Sequence, residues 1–138
     1  MLYASGSFSL RCLAAAMAVS VLSACSDSTV AASVVGTYTL RSVAGIALPA
    51  PARDATGAVF GTATSGTVTL TSTNTYTSSI TFVIGGISTP APAAGTYAQS
   101  GSTLTFTPTG GGAVNTGTFS GGNTISATLN SQLYVFMK

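Results

Sequence analysis

The side chains able to do chemistry here are few: Cys12 and Cys25, Asp27 and Asp54, the cations Arg11, Arg41, Arg53 and Lys138, and five tyrosines, with no histidine and no glutamate in 138 residues. General acid–base catalysis needs a titrating group held against substrate, and a metal centre needs several converging nitrogen, sulfur or carboxylate ligands. Asp54 is the one carboxylate in the body of the chain. Carboxylate pairs, catalytic triads and transition-metal clusters therefore cannot be assembled from a single copy. A Ser–Lys dyad would have to use Lys138, the last residue, and the adjacent Arg53 and Asp54 read as solvated loop charges. The expectation is a non-catalytic protein with no cofactor and no metal.

The residue with a chemical fate is Cys25. Arg11 is the only charge before an apolar stretch of Ala, Leu, Met and Val from Cys12 to Val21. That order of a charged region and a short apolar region is the pattern of a secretory signal, and the stretch falls short of the roughly 18 residues that span a bilayer. Leu22-Ser23-Ala24-Cys25 follows and resembles the lipobox of bacterial lipoproteins. The resemblance implies a diacylglyceryl thioether on Cys25, cleavage before it, and acylation of the new N-terminus by a fatty acid such as palmitate. Several chains at about 0.8 kcal/mol per buried methylene anchor a protein in lipid where one does not. The alternative is an ordinary signal cleaved near Ala24, leaving a free thiol.

The chain then divides into a signal-peptide helix at 1–24, a lipidated cysteine with a polar tether at 25–33, and a domain at 34–138. Cys12 is removed with the signal, so no disulfide is expected. The membrane partner is lipid, met through Cys25, outside the cytoplasm. Ser26 stands where an Asp would retain such a lipoprotein at the inner membrane, so the outer membrane is the expected address.

From Cys25 onward three cations face two carboxylates. Nucleic-acid binding needs a basic field to neutralise phosphates, and that class is excluded. Apolar residues are dispersed among Thr, Ser, Gly and Asn instead of gathered into spans, so the fold must bury one face of each element and solvate the other with hydroxyls.

Those elements read as strands. Thr recurs at every second position, which suits a half-buried pleated surface. Tyr38 and Leu40 share a face within 35–43. Val68 and Leu70 do so within 67–71, and Tyr76, Ile80, Phe82 and Ile84 within 76–84. The period continues around Tyr97, Leu104 and Phe106, Phe119, Ile125 to Leu129, and Tyr134 with Phe136. About eight strands result. Residues tolerant of positive φ, among them Gly85-Gly86, Gly121-Gly122-Asn123 and Asn130-Ser131, separate them. Four Gly-Thr pairs, at Gly36, Gly66, Gly95 and Gly117, look like strand openings. The segments 49–65 and 88–94, with Pro49, Pro51, Pro90 and Pro92, are expected to be loops at the rim, because proline cannot donate to a ladder. Short gaps imply an all-β antiparallel up-and-down meander. Closure into a barrel removes exposed edges; a two-sheet β-sandwich is the alternative.

Gly36-Thr37-Tyr38, Leu48-Pro49 and Tyr134-Val135-Phe136 resemble the first strand, the following segment and the last strand of small bacterial lipocalin-like lipoproteins. That resemblance spans nearly all of 34–138 and implies a lipocalin-like β-barrel. Lipocalins carry Gly-x-Trp on the first strand, with a basic residue from the last strand over the Trp at the closed end. Gly36 and Tyr38 match loosely in a chain without Trp, and Lys138 is a terminal stand-in for the basic residue. Eight strands enclose either a filled interior or room for one small ligand. The residues expected to line such a pocket are Tyr38, Leu40, Ile80, Phe82, Tyr97, Phe106, Tyr134 and Phe136. The function this implies is a cell-envelope lipoprotein that binds a small apolar or amphipathic ligand; a structural or protein-interaction module is the alternative.

Overall fold

The computed structural model describes residues 33–138; the expected signal-peptide helix and Cys25 lie outside the described residues. Ten strands follow one another: β1 (Gly36–Val43), β2 (Ile46–Ala47), β3 (Ala50–Arg53), β4 (Val59–Leu70), β5 (Thr75–Ile84), β6 (Ile87–Ser100), β7 (Thr103–Pro108), β8 (Asn115–Ser120), β9 (Thr124–Leu129) and β10 (Gln132–Met137). Within β1, Tyr38 and Leu40 are buried while Thr37, Thr39 and Arg41 face solvent, the alternation a pleated strand imposes.

Every pairing is antiparallel, and one sheet runs from β1 through β10, β9, β8, β7, β6 and β5 to β4. It closes because β1 is shared. Gly36 to Thr39 pair with Leu70 to Thr67 of β4, and Thr39 to Val43 pair with Met137 to Tyr134 of β10. The fold is an eight-stranded up-and-down barrel, and the sandwich alternative is overturned by that continuous ladder. Each barrel strand corresponds to one stretch of alternating sequence, whereas the short β2 and β3 carry too few residues to show a period.

Three expectations are corrected. The segments 49–65 and 88–94 are not rim loops: β3 and the first half of β4 occupy the first, and β6 runs straight through Pro90 and Pro92. Proline is tolerated there because residues 87–94 pair with β5 alone; pairing with β7 begins only at Gly95↔Pro108. The Ala94 carbonyl accepts from Thr109 N at 2.9 Å, so residues of that parity, Pro90 and Pro92 included, turn their backbone polar groups to the free edge. A missing N–H costs the ladder nothing on an edge.

Nor do the Gly-Thr pairs all open strands. Gly36 does, but Gly66, Gly95 and Gly117 lie inside β4, β6 and β8 and are buried. A Cβ at Gly95 would collide with the Thr107 carbonyl oxygen, and one at Gly117 would stand 2.8 Å from the Ser126 carbonyl oxygen. At these two positions the missing side chain lets the neighbouring backbone approach.

The barrel has two unlike ends. At the end carrying Gly36 and Lys138, buried Val34 and Tyr38 fill the interior. Tyr38 donates its hydroxyl to the Val34 carbonyl at 2.7 Å and meets the Phe119 ring edge-on at 6.4 Å. At the opposite end the Ala44-Gly45, Gly85-Gly86 and Asn130-Ser131 turns, with positive φ at both residues, supply the twist of two-residue hairpins. There β3 is tied across the rim by Gln132, which accepts from Arg53 N at 2.6 Å and donates to the Pro51 carbonyl at 3.3 Å.

Candidate functional site

The inward face of β6 explains where space remains. Ala91, Ala93 and Gly95 share the inward parity of Tyr97, so half of that strand presents almost no side chain to the interior. Ala127 does the same on β9. The large residues opposite do not reach across, and a cavity of about 450 Å³ remains, lined among others by Val68, Tyr76, Ile80, Phe106, Ile125, Tyr134 and Phe136. Phe60 and Phe82 extend the lining as a tilted pair with centroids 5.2 Å apart, and Tyr76 and Phe106 form an edge-to-face pair, also at 5.2 Å.

That volume falls in the range of small-molecule sites, which are mostly apolar with a few polar groups fixing orientation. The polar groups are Ser78, Asn115 and Asn130 with the hydroxyls of Tyr76 and Tyr134, and no charged residue lines the space. The hydroxyls of Tyr38 and Tyr97 are spent on backbone carbonyls, of Val34 and Thr71, each at 2.7 Å. Tyr76 and Tyr134 have no such bond, and no buried side-chain polar atom lacks a partner among the described residues, so their hydroxyls keep accessible surface, and both residues line the cavity. Burial pushes both phenols above their ordinary value of 10.0. At neutral pH they are therefore uncharged groups able to donate or accept one hydrogen bond.

Of the eight residues expected to line a pocket, the structure brings Ile80, Phe82, Phe106, Tyr134 and Phe136 to this cavity and not Tyr38, Leu40 or Tyr97. Tyr38 plugs the closed end. Tyr97 is held at the β4–β5 turn, its amide donating to the Asn74 carbonyl at 2.9 Å. Leu40 occupies the space that Gly66 leaves, its Cβ 3.1 Å from where a glycine Cβ would be. Sequence reading missed Phe60 and Ala91 to Ala93, which fell in segments taken for loops, along with Ser78, Asn115, Ala127 and Asn130. A signal existed: between 89 and 97 the prolines hold one parity and Ala, Ala, Gly and Tyr the other.

The Arg53–Asp54 pair stands outside the cavity lining. Asp54 accepts from the Thr56 and Ala58 amides at 2.9 and 3.1 Å, and Arg53 donates to the Gly57 carbonyl at 2.8 Å, which makes the pair the frame of a turn. The Thr56 hydroxyl, with those amides, holds the Asp54 carboxyl below its ordinary 3.8.

No known protein family, curated protein or solved structure matches this chain. What the barrel can hold is thus read from its own lining: a neutral molecule, apolar over most of its surface, with one or two groups able to reach Tyr76 or Tyr134.

Proposed function

We propose that this chain is a non-catalytic cell-envelope lipoprotein, anchored through acylated Cys25 outside the cytoplasm, with the outer membrane its expected address, and that its lipocalin-like barrel binds one small uncharged apolar or amphipathic molecule. The cavity carries the reading. An interior evolved only for stability would be filled, because voids forfeit dispersion contacts on every wall. Here space remains where β6 and β9 present only Ala and Gly, and two of the lining residues, Tyr76 and Tyr134, carry hydroxyls with no protein partner.

The closed end supports the lipocalin likeness. Lys138 at the end of the last strand lies over the Tyr38 ring, Nζ 4.9 Å from the centroid, the placement that the Gly-x-aromatic resemblance implies. A structural module that pairs through a sheet edge is the weaker reading, since the barrel is closed and its one long unpaired edge carries Pro90 and Pro92.

Native mass spectrometry of protein extracted from membranes tests both halves. The expected result is a start at Cys25 bearing acyl chains, lost in Cys25→Ser, together with a noncovalent adduct of small mass. A start at Ser26 or an unmodified Cys25 would overturn the anchor. A bare protein mass across growth conditions and extraction detergents would overturn the ligand.

A further inference from the structure

The cavity is not enclosed by a complete wall. From Ile87 to Ala94 strand β6 pairs with β5 only, and β7 joins it at Gly95↔Pro108. Beyond Pro108 the chain leaves the sheet as the connection 109–114, which contains Gly110-Gly111-Gly112, before β8 begins at Asn115. The cavity is lined by both banks of this split, Ala91 and Ala93 on one side and Pro108 and Ala113 on the other. Both alanine positions on β6 are solvent-exposed despite facing inward, so they border an opening. The edge along it cannot be zipped shut by a neighbouring strand, since Pro90 and Pro92 present no N–H there. Small side chains keep it wide, and no charge borders it.

We propose that this split is a lateral portal, and that the ligand is an amphipathic molecule whose apolar segment lies in the cavity while its polar end protrudes between β6 and the 109–114 connection. The inference rests on the cavity being a ligand site. A lining without charge excludes an ionic or strongly hydrated headgroup from the interior, and the split gives that headgroup a place in water. Molecules larger than about 450 Å³ are then admitted, provided only the apolar part must enter.

The test uses the neutral fluorophore N-phenyl-1-naphthylamine as reporter and dodecyl maltoside, below its micellar concentration, as competitor. Its disaccharide is too hydrated to enter an apolar interior, whereas its alkyl chain fits. Maltoside is expected to displace the fluorophore from the wild-type barrel. In A91W and A113W, one on each bank, its competing affinity should fall about tenfold or more, and by a larger factor than the fluorophore's own affinity, the loss appearing as faster release. A113W lies on an exposed connection, so its folding is not at stake, and I46W on the β1–β2 hairpin serves as the control that leaves competition unchanged. No displacement from the wild type, or equal displacement from wild type and both bank variants, overturns the portal alone. Failure of the fluorophore to bind the wild-type barrel overturns the ligand site and the portal together.

Discussion

Lys138 closes the barrel over Tyr38: its ammonium sits 4.9 Å from the ring centroid and donates to the Val35 carbonyl at 2.8 Å. The last residue of the chain thereby ties the end of β10 to the segment leading into β1, and Tyr38, beneath it, bonds the Val34 carbonyl. Lys138→Met is expected to cost about 0.5–1 kcal/mol, the value of an exposed cation–π contact. Tyr38→Phe should cost about 1–2 kcal/mol for an orphaned carbonyl, and Tyr38→Ala about 3–5 kcal/mol for the void. Urea unfolding of the three variants ranks them; equal stabilities would show that this end is not a packed seal.

Gly95 and Gly45 should respond to alanine in opposite degrees. At Gly95 a methyl group meets the Thr107 backbone, which has no freedom to withdraw without opening the β6–β7 ladder, and a loss of about 3 kcal/mol or more is expected. Gly45 has φ +79° but open space around it, so Gly45→Ala should cost only about 1 kcal/mol of backbone strain. Thermal unfolding of both variants makes the comparison. Similar small losses would mean that β6 and β7 do not approach as described.

Pro90 and Pro92 keep the free edge of β6 from acting as a template. Replacing both with Thr restores two N–H donors on an edge eight residues long, on a surface with few charges to repel a second copy. The double variant is expected to self-associate at concentrations where the wild-type domain sediments as one species. Unchanged sedimentation would show that something other than the prolines guards this edge.

Stability should be flat from about pH 5 to 9, because the chain has no histidine and no glutamate and the groups with shifted values, Asp54 and three tyrosines, are moved away from that range. Tyr76, Tyr97 and Tyr134 are raised above 10.0 by burial. The unfolded chain then loses those protons first, so the stability they contribute is complete below pH 10 and is lost as pH rises through the folded values. Asp54 is lowered below 3.8, which acts at the other extreme: its contribution is present above 3.8 and fades as pH falls through the folded value. A melting temperature followed from pH 3 to 11 should show a plateau with two shoulders. A transition near pH 6–7 would contradict it.

Much of the fold was legible because all but a few barrel strands keep a strict two-residue period, and turn pairs such as Gly85-Gly86 and Asn130-Ser131 carry their own φ signature. Proline and glycine misled. Pro90 and Pro92 read as loop residues because sequence shows that an N–H is missing but not which edge it would face. Gly66, Gly95 and Gly117 read as strand starts because what crowds them, the Leu40 and Ile80 side chains at Gly66 and backbone at Gly95 and Gly117, belongs to neighbouring strands. The cavity was half legible: alternation selects inward residues such as Ile80, Phe106 and Tyr134, but cannot say that Tyr38 and Tyr97 fall at the sealed end. Nor does it show that the lining depends on the small residues Ala91, Ala93 and Ala127.

The proposed ligand is one small neutral molecule in the barrel interior, at the end away from Tyr38. Isotope-filtered nuclear Overhauser spectra with N-phenyl-1-naphthylamine at saturation test it most directly. A single bound equivalent is expected, with contacts to the Ile80 and Ile125 methyls and the Phe106 ring, and none to Leu40 or Tyr38. Contacts confined to exposed side chains such as Ile46 and Ile87, or no contacts at all, would contradict it.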